Sequence, residues 1–187
     1  MGIDKNAYDL TAWSGLSWLQ TRKLLAADLG DVRVSKIRQA RETYILSQMT
    51  ADKIPIKSGA HAVLQAAKEK GLKLVVVSST VSSRAIPLLE NADLLTYFDV
   101  HVFGDEVMAH KPLPDPYLAA LAKLGVEESQ ALAVEDSFTG ALSATKAGLT
   151  VFLVPDKSFK AQFSDAALAQ LTLFGVGNDL HELADKL

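Results

Sequence analysis

The stretch Leu132-Ala133-Val134-Glu135-Asp136-Ser137-Phe138-Thr139-Gly140 sets an apolar run against two adjacent carboxylates and a small polar turn. The run reads as a strand, and Gly140 to Ala147 reads as a helix that Gly148 stops. An α/β sheet presents a polar site in this way, at the carboxyl end of a strand that turns into a helix. Two neighbouring acids beside apolar residues are costly to bury without positive charge nearby. Glu135 and Asp136 therefore suit a cation site, or else they begin a loop and cap the next helix. The stretch alone leaves both open.

Working outward, the same rhythm extends from residue 54 to the end. Ala60 to Lys70 is predicted as a helix with Ser58 before it and Gly71 after it. Leu72 to Val77 is a continuous apolar run, which suits a strand buried on both faces. A helix around Ser82 to Asn91 follows, then a strand over Tyr97 to Phe103. Asp115 as cap and Pro116 at the first helical position open a helix that Gly125 closes. Ala131 to Val134 and Thr150 to Val154 complete the main strands, with an edge strand over Leu171 to Val176 and a terminal helix over Asn178 to Leu187. Alternating strands and helices predict a doubly wound, Rossmann-like parallel sheet.

The first fifty residues differ. Leu16, Leu19, Leu24, Leu25 and Leu29 recur at helical spacing up to Gly30. Ser35 is placed to cap a second helix whose Ile37, Ala40, Tyr44 and Ile45 share a face and which ends near Thr50. The expected organisation is a helical segment over residues 1–53, a hinge near Asp52 to Gly59, and an α/β core over residues 54–187.

With 187 residues, 49% hydrophobic and 22% charged, the chain is long enough for one good core and far from a disordered composition. A net charge of −3 argues against nucleic acid or an acidic membrane surface as partner. The absence of cysteine excludes disulfides, thiol catalysis and zinc–thiolate sites. Neither a signal peptide nor a membrane-spanning run is visible, so a cytoplasmic location is expected.

Three polar sites fall where strands or their following loops end. Ser78 and Ser79 follow the first apolar run, where hydroxyls and backbone N–H groups at a helix start suit an anion. Lys111 sits in His110-Lys111-Pro112-Leu113-Pro114-Asp115-Pro116, where three prolines stiffen the loop. Glu135 and Asp136 make the third. In a parallel sheet all three gather at one edge, and hydroxyls, a lysine and a carboxylate pair are what a phosphate with bound Mg²⁺ requires.

This set resembles the haloacid dehalogenase superfamily, in particular its phosphatases and phosphomutases of the β-phosphoglucomutase-like branch with a helical cap. Val75-Val76-Val77-Ser78-Ser79 matches the second motif of that family, Lys111-Pro112-Leu113-Pro114-Asp115 the third, and Glu135-Asp136-Ser137-Phe138-Thr139-Gly140 the fourth. Tyr97-Phe98-Asp99 and Phe103-Gly104-Asp105-Glu106 are also similar, and the resemblance runs from about Pro55 to Pro155. It implies that Ser78, with the Ser79 backbone, holds the transferring phosphoryl group of a small phosphorylated metabolite, and that Lys111 neutralises its charge. It implies Mg²⁺ on Asp136, with Glu135 as a further ligand or acting through water. Trp18 falls where the sugar-phosphate mutases of this branch carry an arginine, which favours a phosphatase. Trp18 and His110 are the candidate substrate neighbours.

The family opens with a strand ending in Asp-x-Asp, the first Asp being the nucleophile. No two aspartates here are separated by a single residue. The expectation is therefore a truncated form of a phosphatase, lacking its first core strand and inactive as it stands. The alternative is a non-catalytic ligand-binding or interaction protein, self-complementing as a homo-oligomer or completed by a partner strand. Phosphomutase and metal-free dehalogenase rank below these, and a receiver domain conflicts with the helical N-terminal third.

Overall fold

The computed structural model describes residues 18–48, 55–156 and 163–187. Leu16, the expected end of the second helix near Thr50 and residues 52–54 of the expected hinge lie outside these. Two helices come first, α1 (Trp18–Leu29) and α2 (Asp31–Gln48), with Gly30 between them at a left-handed φ of 74°. The second begins five residues earlier than a cap at Ser35 would place it. Ser35 does not cap it but lies inside, donating from its Oγ to the Asp31 carbonyl at 2.9 Å. An interior serine satisfies its hydroxyl one turn back in this way. The buried face of α2 is also not the expected one, for Val34 is fully buried while Tyr44 is 66% exposed.

After α3 (Ala60–Glu69) the chain alternates: β1 (Val75–Val77), α4 (Ser82–Asn91), β2 (Val100–Val102), α5 (Asp115–Leu124), β3 (Leu132–Glu135), α6 (Phe138–Lys146), β4 (Thr150–Leu153), α7 (Asp165–Leu168), β5 (Leu173–Val176) and α8 (His181–Ala184). Every strand pairing is parallel, β1 with β2 and β3 with β4 with β5. The α/β class read from the sequence is therefore the observed one. Among the described residues β1 pairs only with β2, and the facing partner of β3 is β4 alone.

The strands are shorter than the apolar runs that announced them, and the cause is local. Asp99 draws the first half of the Leu72–Val77 run out of the ladder: its Oδ2 accepts from the Leu74 N–H at 2.8 Å, and its own N–H donates to the Leu74 carbonyl at 2.8 Å. Leu95–Tyr97 forms a 3₁₀ turn instead of opening β2. Ser58 does not cap α3; Gly59, at φ 81°, stands at that position and the Ser58 carbonyl instead accepts from Leu180.

The core lies between the three-stranded sheet and α5 and α6. Val151 and Leu153 of β4 face one side, with Ala133, Ala141, Ala144, Tyr117 and Leu121. Phe152 faces the other side, with Val154 and Leu183. Alternating directions on a strand buried on both faces explain why this run is uninterrupted in its apolarity. Val77 of β1 packs against the first cluster, so the end of β1 comes up against the larger sheet.

The loops that follow β1 and β2 are fastened to each other. The Gly104 N–H donates to the Thr80 carbonyl at 3.0 Å, and a β-carbon on Gly104 would collide with the Ser79 backbone. Asp105 then accepts from the Ser82 N–H at 2.8 Å and from its hydroxyl at 2.5 Å, capping α4 from a neighbouring loop. Gly104→Ala is expected to destabilise the fold by about 2 kcal/mol through overpacking against backbone. A urea midpoint that falls with an unchanged slope is the check; a midpoint equal to that of the unsubstituted chain would show that the loop has room.

Candidate active site at the carboxyl ends of the strands

The residues that follow β1, β3 and β4 line one cleft of about 490 Å³, formed by Val77 to Thr80, Val134 to Ser137 and Val154, with Lys57, Lys111 and Leu180. The structure thus brings together Ser78, Ser79, Lys111, Glu135 and Asp136, which are far apart in the chain. It does not bring Trp18 or His110 to this cleft. The Trp18 ring carries the Arg38 guanidinium at 5.2 Å, and the His110 carbonyl closes a turn by accepting from Leu113 at 2.9 Å.

Lys111 is the best-held member. It leaves a loop stiffened by Pro112, Pro114 and Pro116, and only 6% of the residue is exposed. Its Nζ donates to the Val77 carbonyl at 3.1 Å and to Glu135 Oε1 at 2.5 Å. The same Glu135 oxygen accepts from the Tyr117 hydroxyl, and the Lys111 ammonium lies 4.9 Å from the centre of the Tyr117 ring. Burial, then the Glu135 charge, pushes the Tyr117 phenol well above its ordinary range, so it stays neutral and donates. A buried ammonium without a counter-charge is strongly unfavourable. Here the counter-charge comes from the end of β3 and the second acceptor from the end of β1.

Gly140 makes this arrangement fit. A β-carbon there would run into the Glu135 carboxylate, so the glycine of the Glu-Asp-Ser-x-x-Gly stretch is a space requirement. Neither acid caps α6; Ser137 does, its Oγ accepting from the Gly140 N–H at 3.1 Å.

Asp136 is placed differently. It is half-buried, and burial first, then the Glu135 charge, raises its carboxyl above the ordinary value of 3.8. Lys57 opposes this, with its Nζ 3.6 Å from Asp136 Oδ2 and 3.4 Å from Asp156 Oδ2. The Ser78 oxygen accepts from the Thr80 N–H at 3.1 Å while the Ser78 N–H donates to Val102, so the hydroxyl proton stays available to an acceptor.

The Asp136 carboxylate fits a hard divalent cation. Its charge is disfavoured by burial and by Glu135, and its oxygens are the ligand type that Mg²⁺ takes. Among the described residues no three acids or histidines converge as a ready metal cage. Mg²⁺ does not need one, since it keeps several waters and uses one or two carboxylates with a substrate phosphate. Glu135 has its direct partners in Lys111 and Tyr117.

Three neighbours escaped the sequence reading. Tyr117 follows the Lys111 motif in the first turn of α5, and helix polarity alone shows that it faces back. Asp156 is the first polar residue after the apolar run of β4, three positions past Leu153, so the strand-end criterion applied to β4 would have found it. Lys57 had no local signal.

The geometry agrees with what comparison finds. The profile of haloacid dehalogenase-like hydrolases matches residues 10–154. Protein CbbY of Rhodobacter capsulatus is 30% identical over 149 residues, which are 78% of this chain and 66% of that one. The putative phosphatase YhcW of Bacillus subtilis is 34% identical over 122 residues, 65% of this chain and 54% of that one. The crystal structure of CbbY from Rhodobacter sphaeroides in complex with phosphate superposes with a TM-score of 0.69 at 27% identity, covering 80% of this chain and 65% of that one. The chain therefore spans between half and two thirds of the length of these relatives. With the matched profile covering most of the sequence and its motif residues meeting in one cleft, the chain belongs to the haloacid dehalogenase-like hydrolases.

Proposed function

We propose that this chain carries the phosphate- and magnesium-binding part of a phosphatase site for a small phosphorylated metabolite. The observation that carries this reading is the meeting of buried Lys111, the Ser78 loop and Asp136 in one cleft. The names of the relatives, a putative phosphatase and a protein crystallised with phosphate, support phosphoryl chemistry.

In this reading the Ser78 hydroxyl and the Ser79 backbone hold the phosphoryl oxygens, and Lys111 neutralises their charge from a position fixed by Glu135 and Tyr117. Asp136 holds Mg²⁺, and Glu135 acts on the site through Lys111. When bound, Mg²⁺ supplies charge neutralisation at the phosphoryl oxygens. Positioning and electrostatics of this kind are the main protein contribution to phosphoryl transfer. No Asp-x-Asp pair occurs in the sequence, so none of its residues is assigned as the attacking carboxylate. The residues 1–53 serve as a partial helical cap over a core of residues 54–187. Gln20 of α1 donates to the Lys111 carbonyl at 3.2 Å, a contact that supports an approach of the helices to the site.

Two outcomes test the assignment. The chain by itself is expected to release negligible phosphate from small phosphate esters; sustained Mg²⁺-dependent turnover that Asp136→Ala abolishes would contradict the reading that none of its residues is the attacking carboxylate. Asp136 also predicts a pH dependence. Its folded-state value is raised, so ionising it costs folding stability above that value and nothing below the unfolded one. Asp136→Asn should therefore raise stability at pH 7, by no more than about 0.5 kcal/mol given solvent screening. The gain should vanish as pH falls through the carboxylate range. Thermal melts at pH 7 and pH 3.5 read this directly; a loss of stability at pH 7 would contradict it.

A further inference from the structure

Lys57 lines the cleft and pairs with Asp156 beside it, and the phosphatase reading has no role for either. Lys57 lies just before α3, and the adjoining Ser58 carbonyl is tied to Leu180 at 3.1 Å, which anchors the lysine stem at the rim. Asp156 lies three residues beyond the end of β4, and its N–H reaches the Asp136 carbonyl at 3.4 Å. Two residues earlier, the Val154 N–H donates to the Glu135 carbonyl at 2.8 Å, so the backbones that carry the two aspartates are registered against each other. The result is one ammonium between Asp136 Oδ2 at 3.6 Å and Asp156 Oδ2 at 3.4 Å.

We propose that Lys57 is a tethered cation that competes with Mg²⁺ for Asp136, and that Asp156 is a second carboxylate of the same cation site. The inference rests on the reading of Asp136 as the magnesium ligand and adds to it a competitor and a further acidic residue. Two aspartates from the segments that follow β3 and β4 direct oxygens at one point, and a positive group already occupies that point. A divalent cation on Asp136 cannot share the oxygen with an ammonium, since the like charges repel at contact distance. All three side chains are more than a third exposed, so the lysine can swing into water while the carboxylates stay. A compact, strongly hydrated ammonium on a flexible stem is suited to such an exchange. Asp156 then faces the metal directly or through one of the waters that Mg²⁺ retains. The device sets a threshold: the site fills only where Mg²⁺ is abundant enough to displace its own lysine.

The experiment is titration calorimetry of the whole chain with Mg²⁺ at fixed ionic strength, on the unsubstituted protein and on Lys57→Met, Lys57→Arg, Asp156→Asn and Asp136→Asn. Removing one screened ion pair at each of two carboxylates should tighten Mg²⁺ binding in Lys57→Met by about fivefold to tenfold. Lys57→Arg keeps the charge and should stay within about twofold, Asp156→Asn should weaken binding at least about threefold, and Asp136→Asn should abolish it. A purely structural role for Lys57 would shift the melting temperature of both lysine variants without tightening Mg²⁺ binding in the methionine one. If Asp136→Asn abolishes binding but Lys57→Met binds no tighter than the unsubstituted chain, or Asp156→Asn binds equally well, the competition is overturned and the assignment of Asp136 stands. If no variant binds Mg²⁺ while all remain folded, the magnesium assignment itself fails, and this inference with it.

Discussion

A lysine ammonium buried between the ends of two strands is the constraint on which the site depends. Lys111 cannot be taken out of water without a counter-charge, and the nearest one is a carboxylate that must itself be buried. Glu135 supplies it from the end of β3, Tyr117 adds a neutral donor to the same oxygen, and Val77 offers a carbonyl from the end of β1. The requirement propagates. Gly140 must lack a side chain so that the carboxylate has room, and Ser137 must cap α6 because Glu135 is turned elsewhere. Together these contacts link the two-stranded and three-stranded sheets where Ser78 and Asp136 stand.

The adjacent acids thus divide their work. Glu135 is 9% exposed and faces Lys111, whereas Asp136 is half-buried and faces the cleft with Lys57 as its neighbour. Neighbouring residues on a strand point to opposite sides, so a pair read as one unit in the sequence becomes two groups with different surroundings. One fixes the buried lysine. The other keeps a carboxylate uncomfortable enough to favour a cation.

The α/β class was legible because apolar runs ending in polar residues are a local property of the chain. Elements starting within a residue of their expected positions, such as α4, α5 and β4, are those with a proline, a glycine or a hydroxyl at their ends. Runs that lost residues, at Leu72 and at Tyr97, did so because a side chain distant in sequence, or a tight turn, claimed the backbone. Ser35 and Ser58 looked like caps because hydroxyls favour that role, yet each had another use for its polar groups in the fold. The same logic separates the site residues. Ser78, Lys111 and Asp136 carry local motifs, while Tyr117 reaches Glu135 across 18 residues and Lys57 reaches Asp156 across 99. Long-range pairing leaves no mark on either segment alone.

The central claim is that Lys111 and Glu135 act as one buried unit that holds the site together. A double-mutant cycle in urea unfolding with Lys111→Met, Glu135→Gln and the pair tests it most directly. The account predicts that each single substitution costs about 3 kcal/mol, because the partner is left buried and uncompensated. The double substitution should cost clearly less than the two together. Additive losses would mean that the two side chains do not depend on each other, and would contradict the account.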